Sequence, residues 1–459
     1  MFLTYRVVEI LKIGRPSNRL PFTRLAIPSA TGEFITALGL RFGRNGMRIL
    51  NNIRLRERFG ILDEPNVKPL AAATLLNAAG NNVYVIVLSW LAYEITDSPL
   101  AVGFVVGLRF VPIMVMGVVS GAVSDRIHRP TVLRLYALWY TGLSFGFTCL
   151  LYWGEVGLFH ILAYMFLLGL AFTFGPNARR AIYGDSVSKG RVVDALALDG
   201  AAFSLGHLAM PAVVALVLAT YGTTTAFAIQ CVLYAAMTAL AFSVKLPHRQ
   251  REEASRRSSF VKSVVDGIAY ARSKSGIRRV LIISSLLALF GDQYLLALVP
   301  IVSRDVFDSG AAGVGVLVTG GAIGGLIGPA MLIAMKRPLG ALGALVGSMG
   351  VKALGMVLFA FSPSLALGMV AFMILYAMSP AQKALLDGYI QLAVPSEYRG
   401  RVGSLNQMTR GLAAPAAFLA GVMVQFLGVW LAIIAAGVLI AAIGVWSLVG
   451  LRHYRIEGW

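Results

Sequence analysis

The chain has 459 residues, 58% of them hydrophobic and 13% charged, with a formal net charge of +19. Soluble globular chains carry about 25% charged residues, and the mean hydropathy of +0.76 excludes a soluble domain in favour of an integral membrane protein. The two cysteines, Cys149 and Cys231, both lie in apolar stretches, which excludes a disulfide framework or a cysteine-built metal cluster.

In chain order, residues 1–66 form a basic extension expected on the cytoplasmic side. Its segment FITALGLRFGRNGMRILNNIRLRERFG (34–60) reads in three ways: a basic amphipathic segment on the inner leaflet, an unstructured basic tail, or a region preceding a true start at Met47. The chain opens without a basic-then-apolar leader, so the first span is expected to direct targeting. From Leu70 onward, apolar stretches of about 20–25 residues recur, the length a helix needs to cross about 30 Å of hydrocarbon. Twelve are expected, near 70–93, 99–123, 131–153, 156–178, 195–220, 222–244, 280–302, 311–335, 339–361, 364–386, 402–426 and 428–450. No period-two alternation marks them, which excludes a barrel. The expected fold class is therefore all-α integral membrane, with twelve transmembrane helices.

Of the 40 Lys and Arg, all but Arg109, Arg304, Lys352 and Arg410 fall before the first span, after the last, or in or beside every second connection. That side is expected to be cytoplasmic, with both termini on it. The basic excess is thus topology and attraction to lipid headgroups, not nucleic-acid binding.

Phrases recur about 208–211 residues apart. Gly80-Asn81-Asn82 answers to Gly291-Asp292-Gln293, Asp97-Ser98 to Asp308-Ser309, Arg129-Pro130 to Arg337-Pro338, and Lys189-Gly190-Arg191-Val192 to Arg399-Gly400-Arg401-Val402. Two pseudo-symmetric six-helix bundles are expected, 67–245 and 280–451, joined by a basic cytoplasmic linker over 246–279 and followed by a tail over 452–459. Repeats of this kind place a transporter's site near the midplane between them.

Between spans two and three stands GAVSDRIHRPTVL, with Gly121, Asp125, Arg126 and Arg129 in the pattern G-x-x-x-D-R-x-x-R. The glycine permits close helix approach, and the aspartate at a helix end can hold arginines. This loop resembles the cytoplasmic signature of the major facilitator superfamily. The phrases ITDSPLAVGFVVGLRFVP, RVVDALALDGAAFSLGHLAMPA and AVPSEYRGRVGSLNQMTRGLAAPAAFLAGV resemble the branch that contains bacterial enterobactin exporters and macrolide-efflux proteins. The resemblance covers about residues 68–450. It implies that Gly121, Asp125, Arg126 and Arg129, with Arg399 and Arg401 in the second half, form a latch that closes in one conformation. Two departures stand out. Asn81 and Asn82 occupy positions where the branch often has an aspartate, and Met210-Pro211-Ala212 replaces a Gly-Pro pattern associated with antiporters.

The five histidines have no metal-ligand spacing, and no nucleophile or phosphate-loop motif occurs, so neither an enzyme nor a cofactor is expected. Ionisable residues inside spans are the functional candidates, since each costs about 2.5–3.5 kcal/mol if left facing lipid. These are Arg109, Asp292, Lys352 and Arg410. By analogy with the superfamily, Asp292, Asn81 and Asn82 face the cavity, Arg109 and Arg410 reach it, and Gln293 and Tyr294 help line it. An Asp292–Arg109 ion pair is expected, whereas Lys352, on a peripheral span, is expected to snorkel or to bond a neighbouring helix.

The function expected is secondary active export of an amphipathic small molecule, drug or siderophore-like, by alternating access, with protons as the candidate coupling ion. Lipid or lysophospholipid transport and nutrient import are alternatives, and a transport-inactive receptor or scaffold is the alternative from another class. The expected partners are the substrate and membrane lipids, and the expected state is a monomer in the cell membrane.

Overall fold

The computed structural model describes residues 60–116, 128–154, 156–188, 191–245, 260–395 and, with interruptions, 398–451. The chain divides into two units, Met1–Arg58 and Phe59–Trp459, and the helical body is the second. Of the residues expected in the latch, Gly121, Asp125, Arg126, Arg399 and Arg401 lie outside the described residues, as does most of the basic extension.

Among the described residues every regular element is helical, as lipid requires of a chain that closes no barrel. The first half contains α1 (Val67–Thr96), α2 (Pro99–Leu108), α3 (Arg129–Trp153), α4 (Leu158–Phe172), α5 (Gly175–Asp185) and α6 (Val192–Ser243). There follow α7 (Phe260–Ser273), α8 (Ser275–Phe290), α9 (Asp292–Ile301), α10 (Gly310–Ala360), α11 (Leu365–Ala393) and α12 (Ala413–Leu451). Nine stretches among the described residues are long and apolar enough to cross a membrane. Their outward surface is apolar too: Tyr152, Trp153, Phe159 and Phe426 are each at least 70% exposed, which suits contact with lipid and not with water.

Three helices are too long for one crossing. The 52 residues of α6 would run about 78 Å if straight, against about 30 Å of hydrocarbon. Each is broken at a glycine: Gly222 (φ 79°, ψ 179°) in α6, Gly340 (φ 68°, ψ 176°) in α10 and Gly428 (φ 77°, ψ 165°) in α12. That region of backbone space is open essentially to glycine alone, so these residues allow the chain to turn without a loop. The expected spans 222–244, 339–361 and 428–450 begin at or one residue before these glycines.

Elsewhere the expected spans are modified. Span two is interrupted by a turn at Arg109–Phe110, where Pro112 supplies no backbone donor. Span four is two helices, α4 and α5, and α5 continues to Asp185. Arg179, expected in a connecting loop, is therefore helical and buried.

The sequence repeat has a geometric counterpart. Asp97 and Asp308 close equivalent helix ends with left-handed backbones, φ 51° and 48°. The counterpart fails at the centre: α1 runs unbroken through Gly80-Asn81-Asn82, while the matching helix breaks at Gly291. Close contacts between the halves are made by glycines along the length of α2. A Cβ on Gly107 would sit 2.7 Å from Ala414 O, and one on Gly421 would sit 2.6 Å from Pro99 O, so α2 and α12 touch backbone to backbone. Gly315 of α10 does the same against Pro211 and Ala215 of α6.

Candidate functional site

The site is built on the break in LLALFGDQYLLAL. Gly291 has φ −96° and ψ −128°, outside the helical region, and a Cβ there would collide with Leu287 O. The break makes Asp292 the first residue of α9, at the positive end of a half-helix whose opening N–H groups have no partner from a preceding turn. Discontinuous helices of this kind supply binding sites in transporter folds.

Asp292 Oδ1 lies 2.7 Å from Lys352 Nζ of α10. The same oxygen accepts from Ser379 Oγ of α11 at 2.5 Å, and Ser379 Oγ in turn accepts from Lys352 Nζ at 2.9 Å. Tyr376, one turn from Ser379, donates to the Asp292 carbonyl at 2.8 Å. Pro380 removes the donor that would otherwise bond Tyr376 O, which loosens α11 beside the cluster. Exposure within the pair is unequal: the Lys352 side chain is 2% exposed and that of Asp292 39%. Among the described residues nothing bonds Asp292 Oδ2. One carboxylate oxygen is thus committed to the protein and the other is open, an arrangement suited to receiving a proton or a polar group without stranding the lysine.

This corrects one expectation and decides between the two readings of Lys352. Asp292 pairs with Lys352, because Nζ reaches it from a helix of the same half, and not with Arg109. The Arg109 guanidinium donates to Tyr84 OH at 2.5 Å and lies over the Tyr84 and Phe110 rings, 5.4 and 4.4 Å from their centroids. Lys352 bonds neighbouring helices, the second of its two expected roles, and does not snorkel: its head is held inside by Asp292 and Ser379.

The remaining candidates separate into groups. Asn81 and Asn82 are buried: Asn81 Oδ1 accepts from Tyr234 OH at 3.2 Å, and Asn82 Nδ2 donates to Ala78 O and Gly206 O. His207 Nδ1 lies 3.2 Å from Asn82 Oδ1. In this structure the two asparagines join helices and do not line a cavity. Tyr294 is likewise fully buried, its hydroxyl donating to Ala432 O at 3.0 Å, so it packs α9 against α12 and lines nothing. Gln293 is partly exposed. The side chain of Arg410 lies outside the described residues. Arg129, of the expected latch, pairs with Asp185 at the end of α5.

A second buried ion pair went unread in the sequence. Arg179 Nε lies 2.9 Å from Asp199 Oδ1, the two side chains being 9% and 5% exposed, and Thr74 Oγ1 donates to the same oxygen at 3.0 Å. Asp199 is therefore a charged tie among α1, α5 and α6. Its signal was present only in part: Thr74 and Asp199 both lie near the start of an expected span, while Arg179 follows the expected end of another. At the opposite end, Tyr93 OH donates to Asp305 Oδ2 at 2.5 Å and Arg304 lies 2.9 Å from Asp97 Oδ1. These contacts tie the end of α1 to the turn that follows α9.

Comparison with known proteins agrees with this architecture. The chain is 23% identical over 363 residues to the staphyloferrin A transporter of Staphylococcus aureus, covering 78% of this chain and 89% of that one. It is 22% identical over 327 residues to macrolide efflux protein A of Streptococcus pyogenes, covering 70% and 80%. A crystal structure of the nucleoside transporter NupG superposes with a TM-score of 0.66 at 14% identity, covering 85% of this chain and 98% of that one. An inward-facing bacterial homologue of the lysosomal transporter Spinster gives 0.64 at 12% identity, covering 84% and 96%. These two likenesses speak to the fold alone. The family and the relatives are membrane transporters and not enzymes, and the model of the transmembrane secretion effectors matches residues 59–455. With the all-helical membrane architecture, that match shows that the chain belongs to the transmembrane secretion effector family of the major facilitator superfamily.

Proposed function

We propose that the protein is a secondary active exporter of an amphipathic small molecule, working by alternating access in exchange for protons, with Asp292 as the coupling group. The observation that carries this reading is the unequal pair: an open carboxylate on a broken helix, neutralised from behind by a buried lysine. Protonation of Asp292, or its engagement by a substrate, loosens a three-helix tie in the second half. Relatives named for staphyloferrin A and for macrolides point to bulky polar-apolar cargo.

The supporting architecture is twelve spans in two six-helix bundles in the cell membrane, with both termini cytoplasmic and the protein acting as a monomer. Nine apolar stretches, the 25-residue α3, and the extra arms created at Gly222 and Gly428 make up that number. The glycine seams and the Tyr93–Asp305 contact close the end that the positive-inside rule places outside, which corresponds to an outer-closed state.

The test is flux in proteoliposomes. Wild-type protein is expected to move a macrolide or a siderophore in response to an imposed pH gradient, and Asp292→Asn is expected to insert normally yet lose the response. Gradient-dependent flux at the wild-type rate in Asp292→Asn refutes the coupling role. Purified wild-type protein that moves neither cargo class refutes this reading of the substrate.

A further inference from the structure

We propose that a cavity between α7, α8 and the start of the eleventh expected span is a binding site for an anionic phospholipid. It is separate from the Asp292 cluster and does not depend on the transport reading.

Its wall is made by Ile268 and Arg272 of α7, Arg278 and Ile282 of α8, and Leu405 and Thr409 ahead of α12. The chain turns sharply between α7 and α8, at Lys274 with φ −109° and ψ 103°, so the two arginines flank one corner. The α7 helix is fixed in place by a ring stack of Tyr270 on Tyr398, 4.3 Å between centroids and 8° from parallel. The cavity is therefore a built corner and not a groove left by a loose linker.

Its chemistry is divided. Both arginines are exposed, and among the described residues neither has a carboxylate partner. Ile268 and Ile282, 39% and 41% exposed, leave the adjoining wall apolar, while the hydroxyl of Thr409 is already spent on Asn406 O at 2.7 Å. A free phosphate would satisfy the guanidiniums but leave the isoleucine wall uncovered. An acyl chain alone would leave two unpaired cations. A phospholipid with net negative charge satisfies both. The position suits it, since Lys245, Arg272, Lys274, Arg278 and Arg279 gather at this end of the spans, the end expected at the anionic inner leaflet. Paired guanidiniums are also the side chains that grip a phosphate with directional bonds.

The experiment uses the delipidated full-length protein in detergent, titrated with phosphatidylglycerol, phosphatidylcholine or soluble glycerol phosphate. Retained lipid is read by native mass spectrometry and affinity by the shift in thermal midpoint. Phosphatidylglycerol is expected to bind and stabilise, phosphatidylcholine to do so weakly, and glycerol phosphate not at all. The Arg272→Gln, Arg278→Gln double variant is expected to bind phosphatidylglycerol roughly thirtyfold more weakly. Ile282→Trp, which fills the apolar part and keeps both charges, is expected to lose lipid retention as well. Lys245→Gln with Lys274→Gln, which removes two nearby charges that do not line the cavity, is expected to weaken binding clearly less than the arginine variant, because only diffuse attraction is lost. Three results overturn the proposal: equal affinity in the double arginine variant, equal loss in the lysine control, or stabilisation by glycerol phosphate as strong as by the lipid. The first leaves the cavity without a role in binding, the second makes the attraction diffuse, and the third makes it a simple anion site.

Discussion

Lys352 and Asp292 are unequal partners, and this sets the order in which their variants lose stability. At 2.7 Å, with an effective dielectric constant of about 20, their attraction is about 6 kcal/mol, lowered by the 39% exposure of the carboxylate. Asp292→Ala leaves a buried ammonium with one hydroxyl, Ser379 Oγ, for company, and stranding a charge in this way costs about 3–5 kcal/mol. Lys352→Met keeps the volume of the stem and leaves a carboxylate that still reaches solvent and still accepts from Ser379, so the expected loss is about 1–3 kcal/mol. Combining Lys352→Met with Asp292→Ala removes the stranded charge, and the double variant is expected to be more stable than Asp292→Ala alone. Thermal unfolding of the four detergent-purified proteins, read by the fraction remaining monodisperse on size exclusion, gives the order and the coupling between the sites. The reasoning is refuted if Lys352→Met proves less stable than Asp292→Ala, or if the double variant gains nothing over it.

Arg179→Ala leaves the Asp199 carboxylate, 5% exposed, with Thr74 and with Arg180 at 3.9 Å, and is expected to cost about 1–3 kcal/mol; adding Asp199→Asn should recover part of the lost thermal midpoint, and no recovery would count against the pair. In a background lacking Cys149 and Cys231, cysteines at Tyr93 and Asp305 bridged by a short bismaleimide are expected to stop flux, with the unbridged protein active. Transport by the bridged protein at the wild-type rate would remove this contact from the cycle. Gly107→Leu introduces a Cβ that meets Ala414 O at 2.7 Å and is expected to destabilise by about 1–3 kcal/mol, read as a lowered thermal midpoint. Gly222→Ala forces a side chain into a backbone region nearly exclusive to glycine, at a cost of about 1–3 kcal/mol, and should reduce the yield of monodisperse protein; an unchanged yield and midpoint would show that the turn tolerates a Cβ.

What could be read in advance and what could not divide along a physical line. Apolar length is a property of a single segment, so the apolar spans and the repeat that pairs Asp97 with Asp308 were legible in the sequence, whereas the glycine breaks, which depend on backbone angles, were not. Partner choice is a property of two helices and their relative rotation. Asp292 had three cationic candidates within spans, Arg109, Lys352 and Arg410, and nothing in one chain's wording distinguishes them; the nearer-looking arginine proved to be held by Tyr84. Arg179 escaped for a related reason, since hydropathy ends a span at the first charge and does not register that the next turn points inward. The corrected pairing bears on mechanism. On the proposed two-bundle arrangement, Asp292–Lys352 lies within the second half, and Arg179–Asp199 and Arg109–Tyr84 lie within the first. An Asp292–Arg109 pair would have crossed between the halves, and parting it in every cycle would have cost about 3–5 kcal/mol for each charge left buried alone. As found, each half carries its own neutralised charges. Among the described residues the bonds that cross are Tyr93–Asp305 and Asp97–Arg304, the latter between side chains 75% and 41% exposed, and such exposed pairs are worth about 0–1 kcal/mol. On the proposed alternating-access cycle the halves rock apart by breaking these contacts and unpacking the glycine seams, with each buried charge kept paired inside one half.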